Sequence, residues 1–379
     1  MKRFFLTLFL FLLPLFFLAP LPLAILFFSG EFTPFEEIVT LQQQEAPVLF
    51  GKAYITTVPS SVFKLRAVRE RIPRVITFGT SRVLQFRSGF FKKPSEFYNS
   101  GGAGGTIFDL QKALTDIPKG AEPDIIILGL DQHNFSTQWY KNNAEQKESM
   151  VNLRTLIVLA VRHIYQDALH KKFSFGDIVK KRGEKTRFIG IIAMVQGDGI
   201  RNDGSYRYGK FLSDPYNSTH EDYQFKDTLE RVQRGNRLFF RDTYVSEDAM
   251  KELNVFLTQA KERGIHVVGF LPPFAEVVAD ALHADPGYDY LFQIGATIAP
   301  YFMDKGFTFY DFMDPRTFGG NDAEMIDGFH GSERTMAKML LQMIKTDKQL
   351  AAYLNTLFLE EKLKEHANNF EIVGDQVIL

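Results

Sequence analysis

The run Ile125-Ile126-Ile127-Leu128, set between Pro123-Asp124 and Gly129-Leu130-Asp131, constrains the fold more than any other stretch of the chain. Its apolar side chains are continuous rather than alternating, the pattern of a parallel strand covered by helices on both faces. Val75-Ile76-Thr77-Phe78 is β-branched and aromatic, too short for a helix, and closed by Gly79. Residues 265–271 form an apolar run stopped by Pro272-Pro273, and residues 307–312 read as a last strand. Between these runs the spacing predicts helices starting near Arg82, over residues 107–117, through Leu253, Phe256 and Ala260 to Gly264, and over residues 288–305. Ser332 is placed to cap a helical region over residues 335–364. Strand and helix therefore alternate, with polar or glycine-rich turns at the carboxyl ends of the strands, which predicts an α/β fold around a central parallel sheet with its site along that edge.

The amino terminus carries a different signal. Met1-Lys2-Arg3 precedes an apolar run over residues 4–28, with no charge before Glu31. That length is enough to cross a bilayer, and the run ends in Phe27-Phe28-Ser29-Gly30 without a small-residue cleavage motif. Residues 1–30 are therefore expected to be an uncleaved transmembrane anchor; Pro14, Pro20 and Pro22 would kink it and leave cleavage open as the alternative. Lys2 and Arg3 put the amino end in the cytoplasm and everything after Gly30 on the extracytoplasmic side, periplasmic or extracellular.

Residues 31–72 read as a stalk and lead-in, 73–345 as the α/β domain, and 346–379 as a C-terminal helix and tail. Residues 134–245 break the alternation and read as an inserted, mainly helical and loop segment, either a cap over the site or a solvated elaboration without contact to substrate. The formal net charge of −1 over 379 residues gives no argument for nucleic acid. The absence of cysteine removes disulfides, thiolate catalysis and Cys-type zinc sites.

Ser81 stands at the tip of the turn after Val75-Ile76-Thr77-Phe78, where free N–H groups favour an oxyanion or a phosphate. Either catalysis or anion binding fits that position. Asn99-Ser100-Gly101-Gly102-Ala103-Gly104-Gly105 holds four glycines in five residues, as at the rim of a site. The run lacks the lysine of a phosphate-binding P-loop. A serine nucleophile needs a base and oxyanion donors. His330 is the best-placed histidine, with Asp327 three residues before it to hold Nδ1 while Nε2 faces a serine. The plain alternative is a capping Asp327 and an exposed turn histidine. His133 and His266 compete less well, since His266 opens a strand and His133 lacks a comparable serine.

Gly79-Thr80-Ser81-Arg82, Asn99-Ser100-Gly101-Gly102-Ala103-Gly104, Gly129-Leu130-Asp131 and Asp327-Gly328-Phe329-His330 resemble, in order and placement, the four blocks of the SGNH (GDSL-like) hydrolase superfamily. With its anchor and insertion the chain looks most like the membrane-anchored branch of teichoic-acid D-alanine transfer and alginate O-acetylation accessory proteins. The resemblance covers about residues 73–345, without the insertion. It implies a flavodoxin-like three-layer sandwich. It also implies Ser81 as nucleophile, Asp327 and His330 as triad partners, and the N–H groups of Ser81 and Gly101 as the oxyanion hole.

One position departs from the family pattern. Where the superfamily has asparagine, this chain has Asp131, and an ionised carboxylate cannot donate to an oxyanion. Either Gln132, Asn134 or a cap residue completes the hole, or only two donors exist, or Asp131 is held protonated. Arg82 and Gly102 join Asp131, Gln132 and Asn134 as candidate substrate-binding residues. The resemblance implies a serine esterase or O-acyltransferase acting on a surface glycan or another hydroxyl acceptor, with a possible integral-membrane acyltransferase partner and no metal or organic cofactor. The alternative is a catalytically silent scaffold of the same fold.

Overall fold

The computed structural model describes residues 3–7, 9–11, 20–56, 58–143, 153–181, 184–365 and 368–374. Their strands are β1 (Val48–Phe50), β2 (Val75–Phe78), β3 (Phe97–Asn99), β4 (Ile125–Gly129), β5 (Arg187–Ile189), β6 (Asp198–Ile200), β7 (Tyr206–Tyr208), β8 (His266–Leu271) and β9 (Thr308–Asp311). The chain divides into two compact units, one of residues 1–59, 148–202 and 207–210, the other of residues 60–147, 203–206 and 211–379.

The second unit is built on a five-stranded sheet in the order β3-β2-β4-β8-β9, in which every neighbouring pair is parallel. β4 lies at its centre, with Ile125 opposite Val75 on one side and His266 on the other. By appearance within the sheet the order is 2-1-3-4-5, a doubly wound arrangement whose direction reverses between β2 and β4, where such folds bind ligands.

Both faces of the sheet are covered, as the unbroken apolar character of β4 requires. Ile125 and Ile127 join Val75, Val268 and Phe270 in a core with Met336, Met339 and Leu340 of the helix Glu333–Met343. Ile126 and Leu128, pointing the other way along the pleat, are fully buried too. On that side Gly269 makes room for Phe302 of the helix Leu291–Met303; a Cβ there would lie 2.3 Å from the Phe302 ring. Each such large apolar side chain contributes about 1.5–3 kcal/mol through burial.

Two expected helices are reorganised. No regular helix follows Arg82; the chain makes 3₁₀ turns at Ser81–Val83, Ser88–Phe90 and Pro94–Glu96. The apolar spacing of Val83, Phe86, Phe90 and Phe91, all drawn into the core, would suit one helix, but Gly89 and Pro94 interrupt the segment. The region 335–364 is divided into Glu333–Met343, Lys348–Tyr353 and Thr356–Lys364. The break falls at Asp347, whose carboxylate caps the second helix through Leu350 N–H and also accepts from Thr308 Oγ1 at 2.6 Å.

In the first unit β1 pairs in parallel with β5 and antiparallel with β6. Glu31, the first charge after the apolar run, is fully buried and accepts backbone N–H groups of Ala53, Tyr54, Ile55 and Ile191 at 2.9–3.1 Å. The expected anchor lies partly outside the described residues, at 1–2, 8 and 12–19. Its end forms the helix Pro20–Phe28, where Ile25 and Leu26 pack with Ala160 and Ile164 in a protein core. Among the described residues no helix is long and apolar enough to cross a membrane.

Candidate active site

Ser81 follows β2 at the sheet's carboxyl edge and is exposed. The turn that presents it depends on close packing. Gly79 has φ +146°, and a Cβ on it would lie 2.8 Å from Val83 and 3.0 Å from the Gly129 carbonyl oxygen. A Cβ on Gly129 would lie 2.4 Å from Val83. Glycine at both strand ends thus lets Val83 sit on the sheet edge while Thr80 caps the turn, its hydroxyl accepting Arg82 N–H at 3.2 Å.

Asp327 and His330 occupy a tight loop after β9, closed by a Met325–Gly331 bridge and by Ile326 N–H donating to His330 O at 2.8 Å. Asp327 Oδ1 accepts the N–H groups of Phe329 and His330 at 3.0 and 2.8 Å, and Oδ2 receives His330 Nδ1 at 2.7 Å. Burial alone would raise the Asp327 carboxyl, but the imidazole and these N–H donors outweigh it and hold the group below the usual carboxylate value. With Nδ1–H committed to Asp327, the network assigns Nε2 as the acceptor facing Ser81, and Ser81 Oγ lies 2.7 Å away. Three residues separated by up to 249 positions thus form one hydrogen-bonded line.

The other candidates are engaged by the protein itself. Arg82 is 6 % exposed; its Nη2 donates to Pro272 O and Pro273 O, its Nε to Phe329 O at 2.9 Å, and its Nη1 to Gln132 Oε1. The Gln132 amide donates in turn to Pro272 O at 2.8 Å. Asp131 accepts the Thr80 hydroxyl through Oδ2, and its Oδ1 lies 3.6 Å from Arg82 Nη1. The carboxylate that stands where asparagine was expected is therefore a counter-charge of a buried guanidinium, and an amide there would leave Asp327 as the remaining carboxylate acting on it.

Gly101 N–H donates to Asn99 Oδ1 at 2.9 Å, and Gly102 N–H to Gly79 O at 2.7 Å. The Asn99 amide also reaches Val83 O and Phe86 O, lashing the glycine loop to the serine turn. Asn134 is buried, with Oδ1 lacking a hydrogen-bond partner, away from the cavity beside Ser81. His266 pairs with Asp347 at 2.8 Å, at the amino end of β8. His133 reaches the cavity beside Ser81 and stands edge-on to Trp139; burial, outweighing Asp131, pulls its imidazole down to about 4. Among the described residues no cluster of His, Cys, Asp or Glu could hold a metal ion.

A cavity of ≈160 Å³ opens beside Thr80, Ser81 and Arg82, walled by Phe239, Phe240, Phe274, Tyr288, Tyr290 and Leu291. None of these wall residues stands out in the sequence as a site residue, and the aromatic pairs Phe239-Phe240 and Tyr288/Tyr290 are the sole signal. Asp222 is likewise missed: it accepts Gly328 N–H at 2.8 Å and so supports the loop that carries Asp327 and His330. A scan against protein-family models and a search of curated proteins find no match to this chain.

Proposed function

We propose that the chain is an SGNH-type serine acyltransferase or esterase, membrane-anchored and extracytoplasmic, acting on O-acyl groups of a cell-surface glycan or another hydroxyl compound. The observation that carries this is the Ser81–His330–Asp327 line, with both contacts at 2.7 Å. The strand order, with Ser81 at the switch point, supports the flavodoxin-like form of the fold.

In this mechanism His330 Nε2 takes the Ser81 proton as Oγ attacks the ester carbonyl, and Asp327 stabilises the imidazolium. The alkoxide leaves with that proton, and an acceptor hydroxyl or water then attacks the acyl-serine by the same route in reverse. Ser81 N–H is one oxyanion donor; Gly101 N–H serves as the second after exchanging Asn99 Oδ1 for the oxyanion. The apolar run over residues 4–28 and the positive-inside tendency motivate the location and a membrane acyltransferase as partner. The chemistry calls for no metal or organic cofactor.

The engagement of Gly101 N–H and the presence of Asp131 favour a second reading, a silent SGNH-like scaffold that binds a glycan or a membrane acyltransferase. The two are separated by quenching the full chain with an activated ester and mapping adducts by mass spectrometry. An acyl group on Ser81, absent in Ser81→Ala, supports the enzyme; a folded protein that never acylates supports the scaffold.

A further inference from the structure

We propose that the cavity beside Ser81 is an acyl pocket that takes an apolar group of about six carbons, such as a hexanoyl or benzoyl group, in preference to acetyl. This rests on the acyl-serine chemistry above and adds the class of acyl donor.

Size is the first support. An engineered protein cavity of about 150 Å³ accepts benzene, and this cavity measures ≈160 Å³. Acetyl would leave most of it empty.

The second support is the character of the wall. Tyr288 and Tyr290 each point their hydroxyl at backbone: Tyr288 OH donates to Val232 O at 2.7 Å, with Phe239 O at 3.1 Å, and Tyr290 OH donates to Phe240 O at 3.0 Å. The polar ends are therefore occupied, and the rings complete an apolar lining with Phe239, Phe274 and Leu291. At the polar end Arg82 spends its donors on Phe329, Gln132, Pro272 and Pro273, faces Asp131, and lays its guanidinium over the Phe274 ring at 4.7 Å. No cation among the lining residues is left to select an anionic acyl group.

The third support is placement. Ser81 lines the cavity, so an acyl chain can lie in it while its carbonyl carbon meets Oγ. The Ser81 Oγ–C bond forms as the donor C–O bond breaks, and the proton passes from Ser81 through His330 Nε2 to the departing oxygen. Each methylene buried is worth about a fourfold gain in kcat/KM, so four of them give on the order of a hundredfold.

The test is kcat/KM of the full-length chain in detergent for p-nitrophenyl acetate, hexanoate and dodecanoate. Hexanoate is expected to exceed acetate by about a hundredfold, with dodecanoate falling back because the cavity is full. Leu291→Trp, which fills the cavity, should bring hexanoate below acetate, and Phe240→Ala should move the optimum to a longer chain. An acetate optimum in the wild-type chain overturns the pocket while leaving the acyl-serine chemistry intact. No turnover of any ester together with no fluorophosphonate adduct on Ser81 overturns the chemistry itself, and the pocket with it.

Discussion

Arg82 Nε donates to Phe329 O at 2.9 Å, so the residue after the candidate nucleophile holds the residue before the candidate base. The same guanidinium grips Pro272 O and Pro273 O at the end of β8 and Gln132 just beyond β4. One planar fork thus joins the carboxyl edges that carry Ser81, Gln132 and His330. Arg82 acts here as a positioning residue: it borders the cavity, but its guanidinium donors are spent on the protein itself.

Arg82→Lys keeps the charge and loses the fork. Measured on folded protein well below its unfolding temperature, kcat and the rate of fluorophosphonate labelling should fall together by about 10–100-fold, with KM changing less. A role confined to stability would lower the melting temperature and leave the labelling rate per folded molecule unchanged.

Asp131→Asn installs the amide expected from the resemblance to the SGNH superfamily but removes a counter-charge of Arg82. Breaking a buried pair in this way costs about 3–5 kcal/mol, so denaturant unfolding should show a loss of that order, with no gain in ester turnover. A faster and equally stable variant would show that Asp131 had been blocking the oxyanion.

Gly79→Ala places a side chain at φ +146°, 2.8 Å from Val83 and 3.0 Å from Gly129 O. The backbone strain alone costs about 1–3 kcal/mol, and the displaced turn should also slow labelling of Ser81. Truncating the neighbour in Gly79→Ala/Val83→Ala relieves the contact but not the strain, so calorimetry should find only partial recovery.

His133 gives a pH-dependent signal. Its imidazole is pulled down to about 4, mainly by burial, against a value near 6.5 in the unfolded chain. Between these values the unfolded state binds the extra proton, so stability rises with pH: the contribution is complete above about pH 6.5 and is lost as pH falls towards 4. Its size is on the order of 2–3 kcal/mol. Chemical denaturation of His133→Gln at pH 7 and pH 4.5 should show a smaller acid loss than wild type by about that amount.

The strands were legible because composition alone decides them: Ile125–Gly129 and His266–Leu271 are continuous apolar runs bounded by glycine or proline, and no solvated element tolerates such a run. Ser81, Asp327 and His330 were legible as turn residues at strand ends, and the three-residue spacing of the last two suits one loop. Arg82 was legible as a residue of the site, and it does line the cavity beside Ser81; its grip on carbonyls of residues 272, 273 and 329 was not, because nothing local in a sequence reveals such partners. The hold of Asn99 on Gly101 escaped for a similar reason, since an asparagine two residues before a glycine also fits an open site rim. The cavity wall draws Phe239 and Phe240 from a segment read as insertion, together with Tyr288 and Tyr290 from just before a helix; only the tertiary fold brings them together.

The central claim, that His330 activates Ser81, is tested most directly by the rate of fluorophosphonate incorporation in wild type and in His330→Ala. Stoichiometric labelling of Ser81 in wild type, slowed by about 10²–10⁴-fold in folded His330→Ala, is the predicted result. Equal rates in the two proteins, or a wild-type chain that takes up no label at Ser81, would contradict it.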